Sequence, residues 1–124
     1  YIALYTSSAT LGAATTAYAT NPGGGSNTEV TNPSGSAYSA GGKALTSPTV
    51  TLSGTTAFVD FADVSWTSAS FTANGALIYR QDGSAPTNDA VVVLAFGGDF
   101  TASNCTFTIQ FPAAGGGSEI IRLG

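Results

Sequence analysis

Turn-forming residues break this chain at short intervals, and between the breaks apolar side chains recur at every second position. That period belongs to a strand with one buried face; a helix would repeat at three and four. Residues 49–54 (TVTLSG) alternate, and residues 55–61 (TTAFVDF) follow after a Ser-Gly turn. Residues 106–111 (TFTIQF) set Phe107, Ile109 and Phe111 on one side. In residues 64–73 (VSWTSASFTA) strict alternation places Trp66 and Phe71 on opposite faces. A change of face near Ala69, of the kind a bulge makes, brings them together. β-Branched and aromatic residues fill these runs, as strands prefer. The opening YIALYTSSATLGAATTAY is the one plausible helix site, and its Thr and Gly content favours a strand or short turn instead.

Two runs do not alternate. GALIY (residues 75–79) and AVVVLAF (residues 90–96) are apolar throughout, which predicts strands covered on both faces. Between them RQDGSAPTND reads as a hairpin connection, with a turn at Asp82-Gly83, a stiff middle at Pro86, and Asn88-Asp89 leading into the next strand. The expected fold is all-β: a single domain over residues 1–124, an antiparallel β-sandwich or jelly roll of about eight strands with a loop-rich N-terminal third. Residues 21–36 (NPGGGSNTEVTNPSGS) are expected to form a flexible loop or arm outside the core. Residues 113–118 (AAGGGS) read as a shorter link to a final strand, EIIRL.

Charge then limits the partners. Only 8% of residues are charged, against roughly a quarter in ordinary domains. Lys43, Arg80 and Arg122 face seven acids, for a net charge of −4. Nucleic acid calls for clustered Lys and Arg, and so do anionic membranes, so neither is an expected partner. There is no apolar run long enough for a membrane helix and no secretory-signal pattern. Neutral Thr, Ser, Ala and Asn surface is cheaper to desolvate than Lys and Glu, which predicts that copies of the chain or another protein cover part of it.

Catalytic groups are scarce. His is absent, which removes imidazole bases and His-containing metal sites, and the single cysteine forbids an internal disulfide. Cys105, beside an alternating strand with no cation near it in sequence, is expected to be a small core filler. Asp60 and Asp63 are the one pair placed for glycosidase chemistry, beside Trp66, but turn capping explains them more simply. Calcium through Asp82, Asn88 and Asp89, or through Asp99, lacks any EF-hand spacing. GGGS at Gly23 and Gly115 lacks the lysine of a phosphate loop and reads as a spacer. Trp66, Tyr38, Phe71 and Phe100 are candidates for stacking on sugars, although a lone strand Trp is more often core. The expectation is no enzyme, no cofactor and no metal.

Three stretches carry a resemblance: IALYTSSATLGAATTAY; GGKALTSPTVTLSGTTAFVDFADVSWTSASFTANGALIY; and AVVVLAFGGDFTASNCTFTIQFPAAGGGSEIIRL. Together they resemble a group of small structural proteins of tailed bacteriophages. The most specific pieces are SGTTAFVDFADVSW, GALIY and the AVVVLAFGGD and TFTIQFP pair. The resemblance implies a virion component, a capsid decoration (cement) protein that sits as a homotrimer at junctions of the major capsid protein. Its place is then the capsid surface of the virion, after synthesis in the host cytoplasm. The interface expected on this reading draws on Tyr1, Ile2, Leu4, Tyr5, Tyr18, Tyr38 and Phe100. The alternative is a carbohydrate- or receptor-binding module of a phage tail or fibre.

Overall fold

The structure is a computed structural model that describes residues 1–24, 28–30, 38–81, 89–111 and 121–123, with backbone alone at residues 51, 53, 58 and 121–123. The described residues are all-β, without a helix, and so without one long and apolar enough to cross a membrane. They form β1 (Ile2–Tyr5), β2 (Thr49–Ser53), β3 (Thr56–Asp60), β4 (Val64–Arg80), β5 (Asp89–Ile109) and β6 (Ile121–Leu123). One sheet has the order β1-β4-β5 and the other β2-β3-β6. The pairs β1–β4, β2–β3 and β3–β6 are antiparallel. By packing, the chain divides into two compact units, Tyr1–Ala44 with Trp66–Phe107, and Leu45–Ser65 with Thr108–Gly124.

Six strands stand among the described residues where about eight were expected, because two presumed boundaries are not turns. VSWTSASFTA and GALIY merge into β4, and AVVVLAF and TFTIQF merge into β5. Asn74-Gly75 looks like a stop signal, yet the strand runs through it. Gly75 is there for space: a Cβ would lie 2.7 Å from the Leu94 carbonyl oxygen. Gly97 takes a φ of +81° inside β5, which bends the strand without ending it. The anticipated face change in β4 occurs at Ser68, whose φ is 51°. Val64 and Trp66 are buried before it and Ala69, Phe71 and Ala73 after it, so the insertion of one residue moves the apolar set back onto the core face.

GALIY is covered on both faces, as its composition predicts: Ala76, Leu77, Ile78 and Tyr79 are all buried. β4 is the central strand of its sheet, so it has neighbours on either side. AVVVLAF does not meet the same expectation. β5 lies at the sheet edge, with Val91 exposed and Val92, Val93 and Leu94 only half-buried. Cys105 is likewise exposed and is no core filler; it follows Asn104, which has a φ of 49° within β5. The polar face of β4 and β5 is held by side-chain pairs, Thr72 with Thr101 and Asn74 with Asp99, each at 2.9 Å.

On the other face Tyr38, Trp66, Phe71 and Phe107 form an aromatic cluster with centroids 5.0 to 6.4 Å apart. The Lys43 ammonium lies 5.6 Å from the Trp66 ring. In the second unit Phe61 meets Phe111 edge-on at 5.8 Å. Trp66 is fully buried, and its Nε1–H finds no acceptor among the described residues. An orphaned donor of that kind costs about 1–3 kcal/mol. Trp66→Ala is therefore expected to destabilise by about 3–5 kcal/mol through the cavity it leaves. Trp66→Phe, which removes the orphan and keeps a ring, should cost less than half of that in denaturant unfolding.

Candidate functional site

Residues 28–30 fall within the segment read from sequence as an arm outside the core, and they are buried. They run beside β1: the Val30 N–H donates to the Leu4 carbonyl (2.9 Å) and the Thr6 N–H to the Thr28 carbonyl (2.8 Å). β1 alone has only β4 for a partner, and this segment satisfies its other edge. Residues 25–27 and 31–36 of the presumed arm lie outside the described residues.

The pairing places Glu29, 5% exposed, opposite Tyr5. Its Oε2 accepts from the Tyr18 hydroxyl at 2.7 Å. Its Oε1 accepts from the Tyr38 hydroxyl at 2.6 Å and from the Gly41 N–H at 2.7 Å. Tyr38 in turn accepts the Leu4 N–H at 3.0 Å. Tyr79 donates to the Gly41 carbonyl at 2.7 Å and stacks on Tyr18 at 4.6 Å, and Tyr5 donates to the Ala19 carbonyl at 2.8 Å. One carboxylate thus ties together three separate loop segments and β1. Buried charge is tolerated where hydrogen bonds satisfy it, and here three donors converge.

Burial raises the Tyr5, Tyr18 and Tyr38 hydroxyls well above their ordinary value, reinforced by the Glu29 charge and, for Tyr18 and Tyr38, by donation to it. The same two causes, burial first, push Tyr79 up to about 12. These four groups are donors or ring neighbours around an enclosed acid, an arrangement suited to holding structure and closed to a substrate. Sequence reading missed it. Its one signal is that Glu29 is the sole acid before Asp60, in a region holding four of the five tyrosines.

Among the described residues, the carboxylates singled out from sequence are all engaged. Asp60 Oδ1 accepts the Phe61 N–H (2.9 Å) and Asp63 Oδ1 accepts the Phe111 N–H (2.8 Å), so both act as backbone caps. Asp99 accepts from Asn74, and Asp89 lies 3.9 Å from Arg80 in an exposed ion pair. Asp82, Asn88 and Gly115 lie outside the described residues. Among the described residues no three His, Cys, Asp or Glu side chains gather to hold a metal ion. A shallow hollow of about 450 Å³ is lined by Leu11, Ala14, Thr15, Tyr18 and Pro22 among others, without a charged side chain.

Of the residues expected at an interface, Ile2, Leu4, Tyr5 and Tyr38 are buried inside the chain itself, which corrects that assignment: they are its core. Tyr18 is half-buried against Glu29 and Tyr79. Tyr1 (41% exposed) and Phe100 (54% exposed) remain at the surface, where Phe100 meets Phe96 edge-on at 6.0 Å. Val50, Leu52 and Val91, which were not singled out, join them as exposed large apolar side chains. No family model, curated protein or solved structure matches the chain.

Two outcomes test the tie. Glu29→Gln replaces an acceptor-only group by one that brings its own N–H donors against three existing donors. It is expected to cost about 2–4 kcal/mol, read as a lower denaturation midpoint. The tyrosines set the alkaline limit. Folding favours their neutral form, so their contribution is complete below the ordinary value of 10.0 and falls as pH climbs from there through about 12. The melting temperature should stay flat up to about pH 10 and drop above it, with tyrosinate absorbance appearing together with unfolding.

Proposed function

We propose that this chain is a virion structural protein, a decoration protein that strengthens a phage capsid by binding between capsomers. The observation that carries the reading is where its apolar and ionic groups lie. The acid with the most hydrogen bonds is enclosed, the other described acids are capped or paired, and Tyr1, Val50, Leu52, Val91 and Phe100 are left at the surface. Large apolar groups on a surface poor in charge suit burial against other subunits. The resemblance of three long stretches to phage structural proteins supports the same role. A sandwich or jelly-roll body, a homotrimer, the major capsid protein as partner and the outer capsid surface as location belong to this proposal. Tyr1 and Phe100 are the members of the expected interface that it retains.

The sugar-binding alternative loses most of its chemistry. Trp66, Tyr38 and Phe71 pack on one another in the core, and of the four candidate platforms only Phe100 is open. Shells prepared without this protein provide the test. Added protein is expected to bind them to a fixed stoichiometry and to raise the temperature at which they open. Binding confined to tails, or none to shells, would overturn the reading.

A further inference from the structure

All five tyrosines and the single tryptophan lie in the first compact unit, and five of these six side chains form one connected series. The Tyr1 ring, 41% exposed, lies 5.9 Å from Tyr79, and Tyr79 stacks on Tyr18 at 4.6 Å. The Tyr18 and Tyr38 hydroxyls meet on Glu29, and Tyr38 lies 5.8 Å from Trp66. The chain has no Met and no His, so its oxidisable side chains are these aromatics and the exposed Cys105. Oxidising a phenol at neutral pH also removes its proton, which calls for a base at the hydroxyl. The members of the series differ on that point. Tyr79 donates to the Gly41 carbonyl and Tyr5, outside the series, to the Ala19 carbonyl; an amide oxygen is a far weaker base than a carboxylate. Trp66 Nε1–H finds no acceptor among the described residues, so an oxidised indole there keeps its proton. Among the described residues, the tyrosines that donate to a carboxylate are Tyr18 and Tyr38, at 2.7 and 2.6 Å.

We propose that Tyr18, Tyr38 and Glu29 form a redox site that takes in one oxidising equivalent from the surface by way of Tyr1 and Tyr79. A diffusible one-electron oxidant removes an electron from Tyr1, whose proton goes to water and leaves a phenoxyl radical. An electron then passes from Tyr18 through the stacked Tyr79 ring to Tyr1, which regains a proton from water. Tyr18 gives its own proton to Glu29 Oε2. Tyr38 next reduces Tyr18: its proton enters Glu29 at Oε1 while the proton on Oε2 returns to Tyr18. The oxidant has gained one electron, Tyr38 is a phenoxyl, Glu29 holds one proton, and Tyr1, Tyr79 and Tyr18 are restored. The radical rests there. Tyr38 is 3% exposed, the Leu4 N–H stays bonded to its oxygen, and Trp66 beyond it has no base to receive a proton. The consequence falls at the surface. Exposed phenoxyl rings couple with one another and join two chains by a carbon–carbon bond, and drawing the radical inward prevents that. This activity goes beyond the decoration reading and does not depend on it.

Flash-generated tris(bipyridine)ruthenium(III) acting on the whole chain tests the site, with Cys105→Ser throughout to remove the exposed thiol. The readouts are the lifetime of the phenoxyl absorbance and the yield of dityrosine-linked dimer. Without further change the phenoxyl should decay at a rate independent of protein concentration, with little dimer. Glu29→Gln removes the base and should shorten that lifetime at least about tenfold, a fraction of what a positioned base contributes, while dimer rises. Tyr79→Phe keeps a ring in the stack and removes the oxidisable group, so the radical should stay on Tyr1 and dimer should rise likewise. Heavy water should slow the inward transfer and raise dimer in the chain that keeps all its tyrosines and Glu29. Tyr5→Phe lies off the series and should change neither readout. Because Glu29→Gln also loosens the fold, Tyr79→Phe and the isotope effect carry the test where the acid variant unfolds. Lifetimes and dimer yields unchanged by Tyr79→Phe and by heavy water would overturn the proposal, as would Tyr5→Phe acting as strongly as Tyr79→Phe.

Discussion

A buried carboxylate that receives three hydrogen bonds organises the N-terminal part of this chain. β1 is four residues long and pairs through one edge with β4. Its other edge needs partners, and residues 28–30 and Lys43 provide them through backbone bonds. Those segments contain little apolar surface of their own and cannot be fixed by burial alone. Glu29 fixes them by drawing the Tyr18 hydroxyl, the Tyr38 hydroxyl and the Gly41 N–H to one point. The acid and its donors depend on one another: without the carboxylate three polar groups are stranded, and without the donors a charge is. Residues 28–30 are thereby held beside β1.

The periodic part of this architecture was legible in the sequence and the aperiodic part was not. Alternation located β2 and β3, and the clash between Trp66 and Phe71 located a bulge that Ser68 makes. Period two reports which face is buried, so it succeeds wherever a strand has one wet face. It fails at Asn74-Gly75 and Gly97-Gly98, because a glycine that admits a neighbouring carbonyl or a bulge has the same letter as one that turns the chain. AVVVLAF shows a second limit: hydrophobicity says that cover is wanted and not whether this chain supplies it. Glu29 shows a third. A Gly- and Asn-rich segment reads as a free arm, and the bonds that pin it come from tyrosines far away in sequence, as Tyr18 and Tyr38 do.

The same tie explains how a chain with so few charges remains specific in its fold. Strands β4 and β5 are joined on their wet face by the Thr72–Thr101 and Asn74–Asp99 pairs, which hold register. The strongly desolvated acid, Glu29, lies inside, where direction matters most. Surface charge is what ordinarily keeps sheet edges and apolar faces apart. This chain has little of it, and β2 and β5 are both edges.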